Sequence, residues 1–391
     1  MNLKASPLLA IYQPYSIGVS KAEGHYIVDE NGKKYLDLFS GLGVHALGHR
    51  NQVVIENIMG QLDKYLHLSN AFVTEPTIKL AIQLRKFTFP SKIFFVNSGT
   101  EANEAALKLV RKWGKSQGKQ EMLVLEDSFH GRTMGSLSLT AQPTIQKPFH
   151  PLLTDIKTLK LNDVDDLKRK VNENTCAVFV ELIQGSGGIK LVNLEWLEEL
   201  LRLKERYHFL IVVDEVQTGL GRTGKLFAYE HYRFIPDMVT LAKALGGGLP
   251  LGAVVIHEQL EAVFQTGDHG TTFGGNPVAA EAGLTVLNIV SHPNFLQSVQ
   301  TKSKFLILHL LRLQKEFPSI IKDVRGMGLM IGVDVNQSAK TIQSLGLKEG
   351  LLLNTVGDHI IRLLPPLTIT TDELLFFIER FRKILTTQAG E

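Results

Sequence analysis

Short apolar runs alternate with longer stretches of helical periodicity through the middle of the chain. The apolar runs predict strands at IFFV (93–96), MLVLE (122–126), CAVFVELI (176–183), FLIVVD (209–214), MVTLA (238–242) and GAVVI (252–256). The intervening periodic stretches predict helices over 100–117, 163–172, 194–207 and 276–291. Apolar runs that alternate with helices are typical of a mostly parallel sheet covered on both faces, so the predicted fold class is α/β.

The two ends of the chain show a different pattern. YIVDENGKKYLDLFSG has an Asn-Gly turn between two short apolar runs, which predicts a hairpin. Towards the other end come a helical stretch (302–316), the runs VRGMGLMIGVDV and IIRLLPPLTI, and a final helix from Thr371. We therefore expect a large domain over 51–290 and a small α+β domain built from both termini, 1–50 and 291–391.

Composition narrows the class of protein. The chain has 391 residues, of which 44% are hydrophobic and 21% charged, as is typical of a soluble globular enzyme. Its net charge of +3 comes without a basic stripe interleaved with aromatic residues, which disfavours nucleic-acid binding. The 13 histidines form no metal-type cluster in the sequence, so we expect no metal site.

Cysteine content and apolar run length bear on the compartment. The single cysteine, Cys176, cannot form an internal disulfide and is expected in a buried strand, which fits a reducing cytoplasm. Residues 1–10 carry one lysine and too short an apolar stretch for a signal peptide, and no run approaches about 18 apolar residues. We expect a cytoplasmic protein.

Polar and glycine residues follow the predicted strands of the sheet. In α/β folds, ligands bind at the carboxyl ends of the strands. Those ends hold Ser98-Gly99-Thr100, Phe129-His130-Gly131-Arg132, Gln184-Gly185, Asp214 to Gln217, and Lys243. We expect these loops to converge on one ligand site.

Lys243 and Asp214 are the most informative pair in the chain. Lys243 lies at the mouth of a buried strand, where desolvation lowers the pKa of an amine and makes it nucleophilic. Asp214 ends the apolar run 209–214. An amine and an acid so placed suit pyridoxal phosphate, with the lysine forming the Schiff base and the carboxylate pairing with the protonated pyridine nitrogen. The alternative is a solvated lysine near a helix start and an aspartate that caps a turn.

The segment VNSGTEANE follows a predicted strand and opens a predicted helix. Free backbone N–H groups and the helix dipole make such a terminus an anion site, and Gly99 permits close backbone approach. The alternative is an ordinary capped helix, with Glu104 closing a capping box on Thr100 or Glu101 adding first-turn charge. The two interpretations are compatible.

At this point the residues resemble a known family. Asp214-Glu215-Val216, Gly219, Asp237-Met238-Val239, Lys243 and Gly246 resemble the signature of class III aminotransferases, pyridoxal-phosphate enzymes of fold type I. The resemblance covers essentially the whole chain. SGLGVHALGH, FVNSGTEANEAALKL, SFHGRTMGSLSLT and FGGNPVAAEAGL are most like the acetylornithine branch of that family. The resemblance to this family implies a homodimer with active sites at the subunit interface.

The resemblance also implies roles for individual residues. Lys243 would carry pyridoxal phosphate and move protons, and Asp214 would keep the pyridine nitrogen protonated. The remaining cofactor contacts would come from Val216 and Phe129 on the two ring faces, Gln217 at the phenolic oxygen, Ser98, Gly99 and Thr100 at the phosphate, and Thr272 at the phosphate of the second subunit.

Substrate contacts are implied for Arg132, Thr271 and Arg362. A planar guanidinium binds carboxylates in bidentate fashion. Arg132 would hold one end of an acylated amino acid, and Arg362 the α-carboxylate of glutamate or 2-oxoglutarate. The alternatives are structural salt bridges for the arginines and plain loop threonines at 271 and 272, which would make a monomer possible.

One segment departs from the family pattern. Glu181-Leu182-Ile183-Gln184-Gly185-Ser186 resembles a Glu-Pro-x-Gln-Gly-Glu stretch. In the ornithine, acetylornithine and 4-aminobutyrate branches the second glutamate pairs with the arginine matching Arg362 and masks its charge when the ω-amine substrate binds. Ser186 cannot neutralise a guanidinium, so Arg362 should stay available to carboxylates or find another acid.

The resemblance therefore implies an enzyme that transfers the ω-amino group of N-acetylornithine, or a close analogue, to 2-oxoglutarate. The alternatives are a class III transaminase acting on 4-aminobutyrate, succinylornithine or another amine, and an aminomutase, which would need no external oxo acid. A non-enzymatic protein that only binds the cofactor is disfavoured by the presence of both Lys243 and Asp214.

Overall fold

The computed structural model describes residues 7–390. Expectations that concern residues 1–6 and 391, including part of the signal-peptide prediction and the outer limits of the small domain, lie outside that range. Within it, no helix is both long and apolar enough to cross a membrane.

The strands follow one another along the whole described range. They are β1 (Val19–Glu23), β2 (Tyr26–Asp29), β3 (Lys34–Asp37), β4 (Ser91–Val96), β5 (Glu121–Leu125), β6 (Ile156–Leu159), β7 (Thr175–Val180), β8 (Ile183–Gln184), β9 (Lys190–Leu191), β10 (Leu210–Asp214), β11 (Met238–Leu241), β12 (Gly252–His257), β13 (Ile321–Met327), β14 (Met330–Val335), β15 (Leu351–Leu352), β16 (Asn354–Val356) and β17 (Ile360–Leu363).

The helices lie between them. They are α1 (Ser40–Gly43), α2 (Gln52–Leu62), α3 (Glu75–Phe87), α4 (Gly99–Ser116), α5 (Met134–Leu139), α6 (Pro143–Gln146), α7 (Val164–Lys170), α8 (Leu194–Tyr207), α9 (Tyr229–Tyr232), α10 (Pro277–Val290), α11 (Pro293–Glu316), α12 (Ala339–Lys348) and α13 (Thr371–Ala389).

The central sheet has the order β4-β12-β11-β10-β7-β5-β6 among the described residues. Strands β6, β5, β7, β10 and β11 are parallel, whereas β12 is antiparallel to both β11 and β4. Residues 242–251 between β11 and β12 are too few for a parallel crossover, which needs about a dozen or more residues, so β12 reverses direction. The predicted mostly parallel α/β sheet is confirmed.

Side chains of the central strands alternate between two apolar layers. In β7, for example, Val178 and Val180 belong to the core that contains Trp196 of α8. Ala177 and Phe179 belong to the opposite layer, which contains Ala106 of α4. Both faces of the sheet are therefore buried, which explains why its strands are continuous apolar runs in the sequence.

Two smaller sheets involve the chain ends. One has the order β1-β2-β3-β15 and joins the predicted N-terminal hairpin to residues 351–352. The other has the order β13-β14-β17-β16. Both contain antiparallel pairs. The domain limits at 50 and 290 stay a prediction.

Two predicted elements differ in detail. The run 176–183 is divided into β7 and β8, because the Glu181 carboxylate turns inward and accepts N–H groups of Phe129 (2.9 Å) and Gly185 (3.2 Å). The helix expected at 302–316 begins earlier, at Pro293. Proline suits a first helical position, and His292 caps this turn by accepting from Asn294 N, so the polar segment before 302 is helical. Cys176 is buried, as predicted.

Candidate active site

A cavity of about 470 Å³ lies at the carboxyl edge of the central sheet. All five loops expected to converge contribute to its wall. The predicted site residues that line it are Ser98, Gly99, Thr100, Phe129, Arg132, Asp214, Val216, Gln217 and Lys243. The volume is within the range of small-molecule sites.

Lys243 follows β11 and begins a 3-10 turn, Lys243–Gly246. Its backbone has φ of 50°, a left-handed conformation that is unusual for a residue with a side chain. Burial first, and the Arg362 cation second, lower the pKa of its amine to about 8, against the opposing effect of the Asp214 and Glu181 carboxylates. A strained residue with a perturbed amine in a cavity is the arrangement expected of a functional nucleophile.

Asp214 ends β10 beneath the cavity and is buried. Its Oδ2 accepts hydrogen bonds from His130 Nδ1 (2.7 Å) and Asn103 Nδ2 (2.8 Å), and its Oδ1 accepts from Val216 N (3.0 Å). Burial alone would raise the pKa of this carboxyl, but the hydrogen bond and charge of His130 outweigh it and lower the pKa. Asp214 is therefore held as a carboxylate.

His130 and Asn103 lie in segments that the sequence marked as part of the site, but the sequence assigned neither residue a role. His130 is fully enclosed; burial would lower the pKa of its imidazole, but the hydrogen bond to Asp214 raises it. Asn103 Nδ2 also donates to the His130 carbonyl (2.8 Å), which fixes the loop after β5. The available signal was a histidine in the loop that follows the predicted strand 122–126.

Glu181 is the second acid of the cavity wall. Burial raises the pKa of its carboxyl to about 7, against the opposing effect of His130. Its two backbone hydrogen bonds, from Phe129 and Gly185, hold the loops after β5 and β7 together. Sequence reasoning assigned it no role.

Gly99, Phe129, Arg132 and Val216 line the cavity near the start of α4. Gly99 has no room for a side chain, since an added Cβ would lie 2.8 Å from Val216 Cγ1. The Arg132 guanidinium lies over the Phe129 ring, 5.5 Å from its centroid, and is exposed. Phe129, Val216 and Arg132 thus border one space.

The first turn of α4 points into this space. Ser98 caps the helix by accepting from Glu101 N (3.2 Å), and Glu101 accepts from Asn97 N (2.5 Å). The suggested capping box between Glu104 and Thr100 is wrong, because Glu104 instead accepts from Gly135 N (2.9 Å) and Ser136 N of the next loop. The backbone N–H groups of the first turn have no partner within the helix, as at any helix start.

Arg362 lies on β17 behind the cavity wall and is 6% exposed. Its Nε and Nη2 donate to Asn354 Oδ1 (2.9 and 2.7 Å), and its Nη1 donates to the Gly185 carbonyl (2.9 Å) and to Gln217 Oε1 (3.4 Å). Burial lowers the pKa of the guanidinium to about 10, with Glu181 opposing, so it stays a cation near neutral pH. No ion pair to Arg362 occurs within residues 7–390.

Thr271 and Thr272 lie outside the wall of this cavity. Thr271 Oγ1 accepts from Asn97 Nδ2 (3.2 Å) and from Gly274 N (3.2 Å), so it fixes the loop that precedes α10. Thr272 is exposed. Their predicted contacts with substrate and with a second subunit stay predictions.

The sequence matches the family described as Aminotransferase class-III over residues 10–385. The chain belongs to the class-III aminotransferase family. A relative named acetylornithine aminotransferase from Caldanaerobacter subterraneus subsp. tengcongensis is 43% identical over 371 residues, which cover 94% of each chain. Another, from Clostridium acetobutylicum, carries the same name and is 42% identical over 95% of this chain and 97% of its own.

Solved structures of class-III aminotransferases share the fold. The ornithine aminotransferase of Toxoplasma gondii ME49 is 28% identical, with a TM-score of 0.92 over 97% of this chain and 93% of its own. The N-acetylornithine aminotransferase of Stenotrophomonas maltophilia K279a is 32% identical, with a TM-score of 0.85 over 97% of this chain and 98% of its own. The fold type I assignment is confirmed.

This class-III aminotransferase is a pyridoxal-phosphate-dependent transaminase. The residues of the cavity fit that cofactor. A buried carboxylate held by three donors suits a protonated ring nitrogen, and an amine with a lowered pKa suits covalent attachment. Ser98, Gly99 and Thr100 bring the N-terminus of α4 to the cavity wall, where a phosphate is stabilised.

Proposed function

We propose that this aminotransferase moves the ω-amino group of N-acetylornithine, or a close analogue, to 2-oxoglutarate, giving the semialdehyde and glutamate. The relatives named acetylornithine aminotransferase carry this proposal, since they are 42–43% identical over nearly the whole chain. Two arginines at different depths, Arg132 exposed at the cavity and Arg362 buried behind it, supply separate positions for carboxylates.

Pyridoxal phosphate, when bound, supplies the electron sink for the substrate carbanion. Lys243 would provide the amine that holds it, and the same amine would accept and return the proton at the substrate carbon. With a pKa of about 8, this amine exchanges protons at neutral pH far more readily than an ordinary lysine. Asp214, kept ionised by His130, holds the proton on the ring nitrogen.

The remaining cavity residues orient the cofactor. Val216 and Phe129 would enclose its two faces, and Gln217 would reach its phenolic oxygen. Ser98, Gly99 and Thr100 bind the phosphate at the start of α4, where the helix dipole favours an anion.

The functional unit is a homodimer, with Thr272 of each chain at the phosphate of its partner and Thr271 near the substrate. Exposed apolar side chains surround this loop: Leu66, Phe72, Val73, Ile78 and Phe273 are 46–83% exposed. Asn70 Nδ2 donates to the Thr271 carbonyl (2.6 Å), so the segment that contains Leu66 to Ile78 contacts the loop that contains Phe273. A contiguous apolar surface of this kind is typical of a subunit interface.

The enzyme works in the cytoplasm. Its buried thiol, Cys176, has no partner for a disulfide, as is typical of proteins in a reducing compartment.

A second candidate is a class III transaminase with another ω-amine donor. The observation that favours it is that the hydrogen bonds of Arg362 go to neutral oxygens, and that Ser186 stands on the cavity wall instead of an acid. An aminomutase remains distinguishable because it would not require 2-oxoglutarate.

A variant and a panel of donors test these roles. Lys243→Ala should abolish both borohydride-stable attachment of pyridoxal phosphate and transamination. Lys302→Ala is the matched control, because burial also lowers the pKa of Lys302 to about 8, but it donates to Leu367 away from the cavity. Attachment that persists in Lys243→Ala would assign the anchor to another lysine.

The donor panel compares kcat/KM for N-acetylornithine, succinylornithine, ornithine and 4-aminobutyrate with 2-oxoglutarate. N-acetylornithine should give the highest value. A higher value for 4-aminobutyrate or another donor would replace the proposed substrate with the second candidate.

A further inference from the structure

The surroundings of Arg362 raise the question of what holds this buried cation. Four of its hydrogen bonds end on neutral oxygens: two on Asn354 Oδ1, one on the Gly185 carbonyl and one on Gln217 Oε1. The contact with Gln217 is the longest of them, at 3.4 Å. These bonds use most of the five N–H donors of the guanidinium and fix its orientation. Within residues 7–390 they give it no ion-pair partner, and the Glu181 carboxylate acts on it only through space.

Asn354 is built into the scaffold as the cross-strand neighbour of Arg362. The two residues are paired in the antiparallel register of β16 and β17. One amide oxygen receives both Nε and Nη2, the edge that a carboxylate would take in a bidentate ion pair. An aspartate at 354 would have nearly the same shape and would add one negative charge at the same place.

The opposite edge of the guanidinium faces the cavity wall. Gly185, Ser186 and Gln217 line the cavity, and the Nη1 contact with Gln217 is weak enough for a ligand to replace it. Nη2 has a further N–H that Asn354 does not use. The Nη1–Nη2 edge is therefore the one on which an incoming carboxylate can bind with two hydrogen bonds.

We propose that Asn354 is a specificity-determining positioning residue: its neutral amide holds the Nε–Nη2 edge of Arg362 without an ion pair and so presents a fixed cation to the cavity that selects dicarboxylate substrates. The chemical class is a 2-oxo dicarboxylic acid and the corresponding amino acid. This inference rests on the proposed function for its use of 2-oxoglutarate and glutamate, but it does not depend on which ω-amine is the donor.

The test uses the holoenzyme dimer or monomer as purified, and it measures each half-reaction separately. Single-turnover spectra with L-glutamate and with N-acetylornithine give the rate and the apparent affinity for each donor. Calorimetric titration of the holoenzyme with glutarate, a dicarboxylate that cannot react, gives binding without catalysis.

Asn354→Asp is the decisive variant. It should weaken glutamate and glutarate by about tenfold or more, leave the maximal rate with glutamate within about threefold, and leave N-acetylornithine unchanged or improved. Asn354→Leu, which removes both hydrogen bonds but adds no charge, should weaken glutamate by a smaller factor, about threefold to tenfold. It keeps the test informative if the aspartate variant does not fold.

Loss of the orientation of Arg362 alone would affect ligand binding differently from a change of charge at residue 354. Equal weakening of glutamate and N-acetylornithine in Asn354→Asp would overturn the proposal, and so would unchanged glutarate binding in both variants. If the wild-type enzyme does not accept N-acetylornithine, the proposed function fails at its donor, whereas the glutamate and glutarate measurements still decide the role of Asn354.

Discussion

The lowered pKa of Lys243 predicts how the apoenzyme takes up pyridoxal phosphate at different pH values. Attachment requires the uncharged amine, which increases as pH rises through the pKa of about 8. At pH 7 about one lysine in ten is uncharged at such a pKa, against about one in 2,500 for an ordinary lysine near 10.4. The initial rate of attachment should therefore rise about tenfold between pH 7 and 9 and then level off.

Replacing Arg362 tests the cause of the lowered pKa of Lys243. Its cation favours the neutral form of Lys243, second only to burial. Arg362→Leu should therefore move the midpoint of the pH profile upward. Arg132→Leu is the matched control, because Arg132 also borders the cavity but does not contribute to the shift, and its midpoint should stay near that of the wild type.

The assay is stopped-flow absorbance of apoenzyme mixed with pyridoxal phosphate from pH 6 to pH 10. The reaction of N-α-acetyl-lysine, measured in parallel, corrects for the titration of the cofactor itself. A wild-type midpoint near 10 would refute the argument that burial activates this amine. A midpoint that Arg132→Leu moves as far as Arg362→Leu would refute the part assigned to Arg362.

Three further predictions concern the ring nitrogen, the masking acid and the interface. Asp214→Asn leaves an amide where His130 now holds a carboxylate, so kcat should fall about a hundredfold with little change in KM. Steady-state kinetics that show only a KM effect would contradict the role of Asp214 at the ring nitrogen. Ser186→Glu should weaken the binding of glutamate and 2-oxoglutarate and improve discrimination toward the ω-amine. The reason is that one charge acting on the Arg362 cation at about 4 Å and an effective dielectric near 20 is worth roughly 4 kcal/mol before screening. Unchanged half-reaction constants would make Ser186 a neutral loop residue. Sedimentation of the holoenzyme at dilute concentration should show a dimer, and Thr272→Ala should weaken cofactor retention in it; a fully active monomer would exclude the shared site.

The sequence alone predicted six of the seven strands of the described central sheet, because those inside the sheet are buried on both faces. It missed the edge strand β6, whose two middle residues are exposed, so that it forms no apolar run. A strand such as β10 then reads as an unbroken apolar run, and the polar residue that ends it, Asp214, marks the edge where ligands bind. Lys243 was found for the same reason, because it follows the apolar run of β11 at the same edge. The helix α8 was predicted with its observed limits, because its apolar positions repeat along one face.

The partners of these residues were not predictable in the same way. His130 and Asn103 are 84 and 111 positions from Asp214, and nothing in their local sequence shows that the strand order brings them to it. Asn354 is only eight positions from Arg362, but the contact depends on the register of β16 and β17, which short strands specify poorly. The direction of β12 depended on the length of a connection, not on its apolar pattern.

The pairing of β3 with β15 has a consequence for the order of folding during synthesis. Leu36 and Leu351 are register partners in that pair, although almost the entire chain separates them. The strands of the central sheet, Ser91 to His257, can meet as soon as they leave the ribosome, whereas the N-terminal hairpin must wait for residues 351–352 before its sheet is complete. Nascent chains released before residue 351 should hold a protease-resistant central sheet while the segment of β1 to β3, residues 19–37, remains open to cleavage.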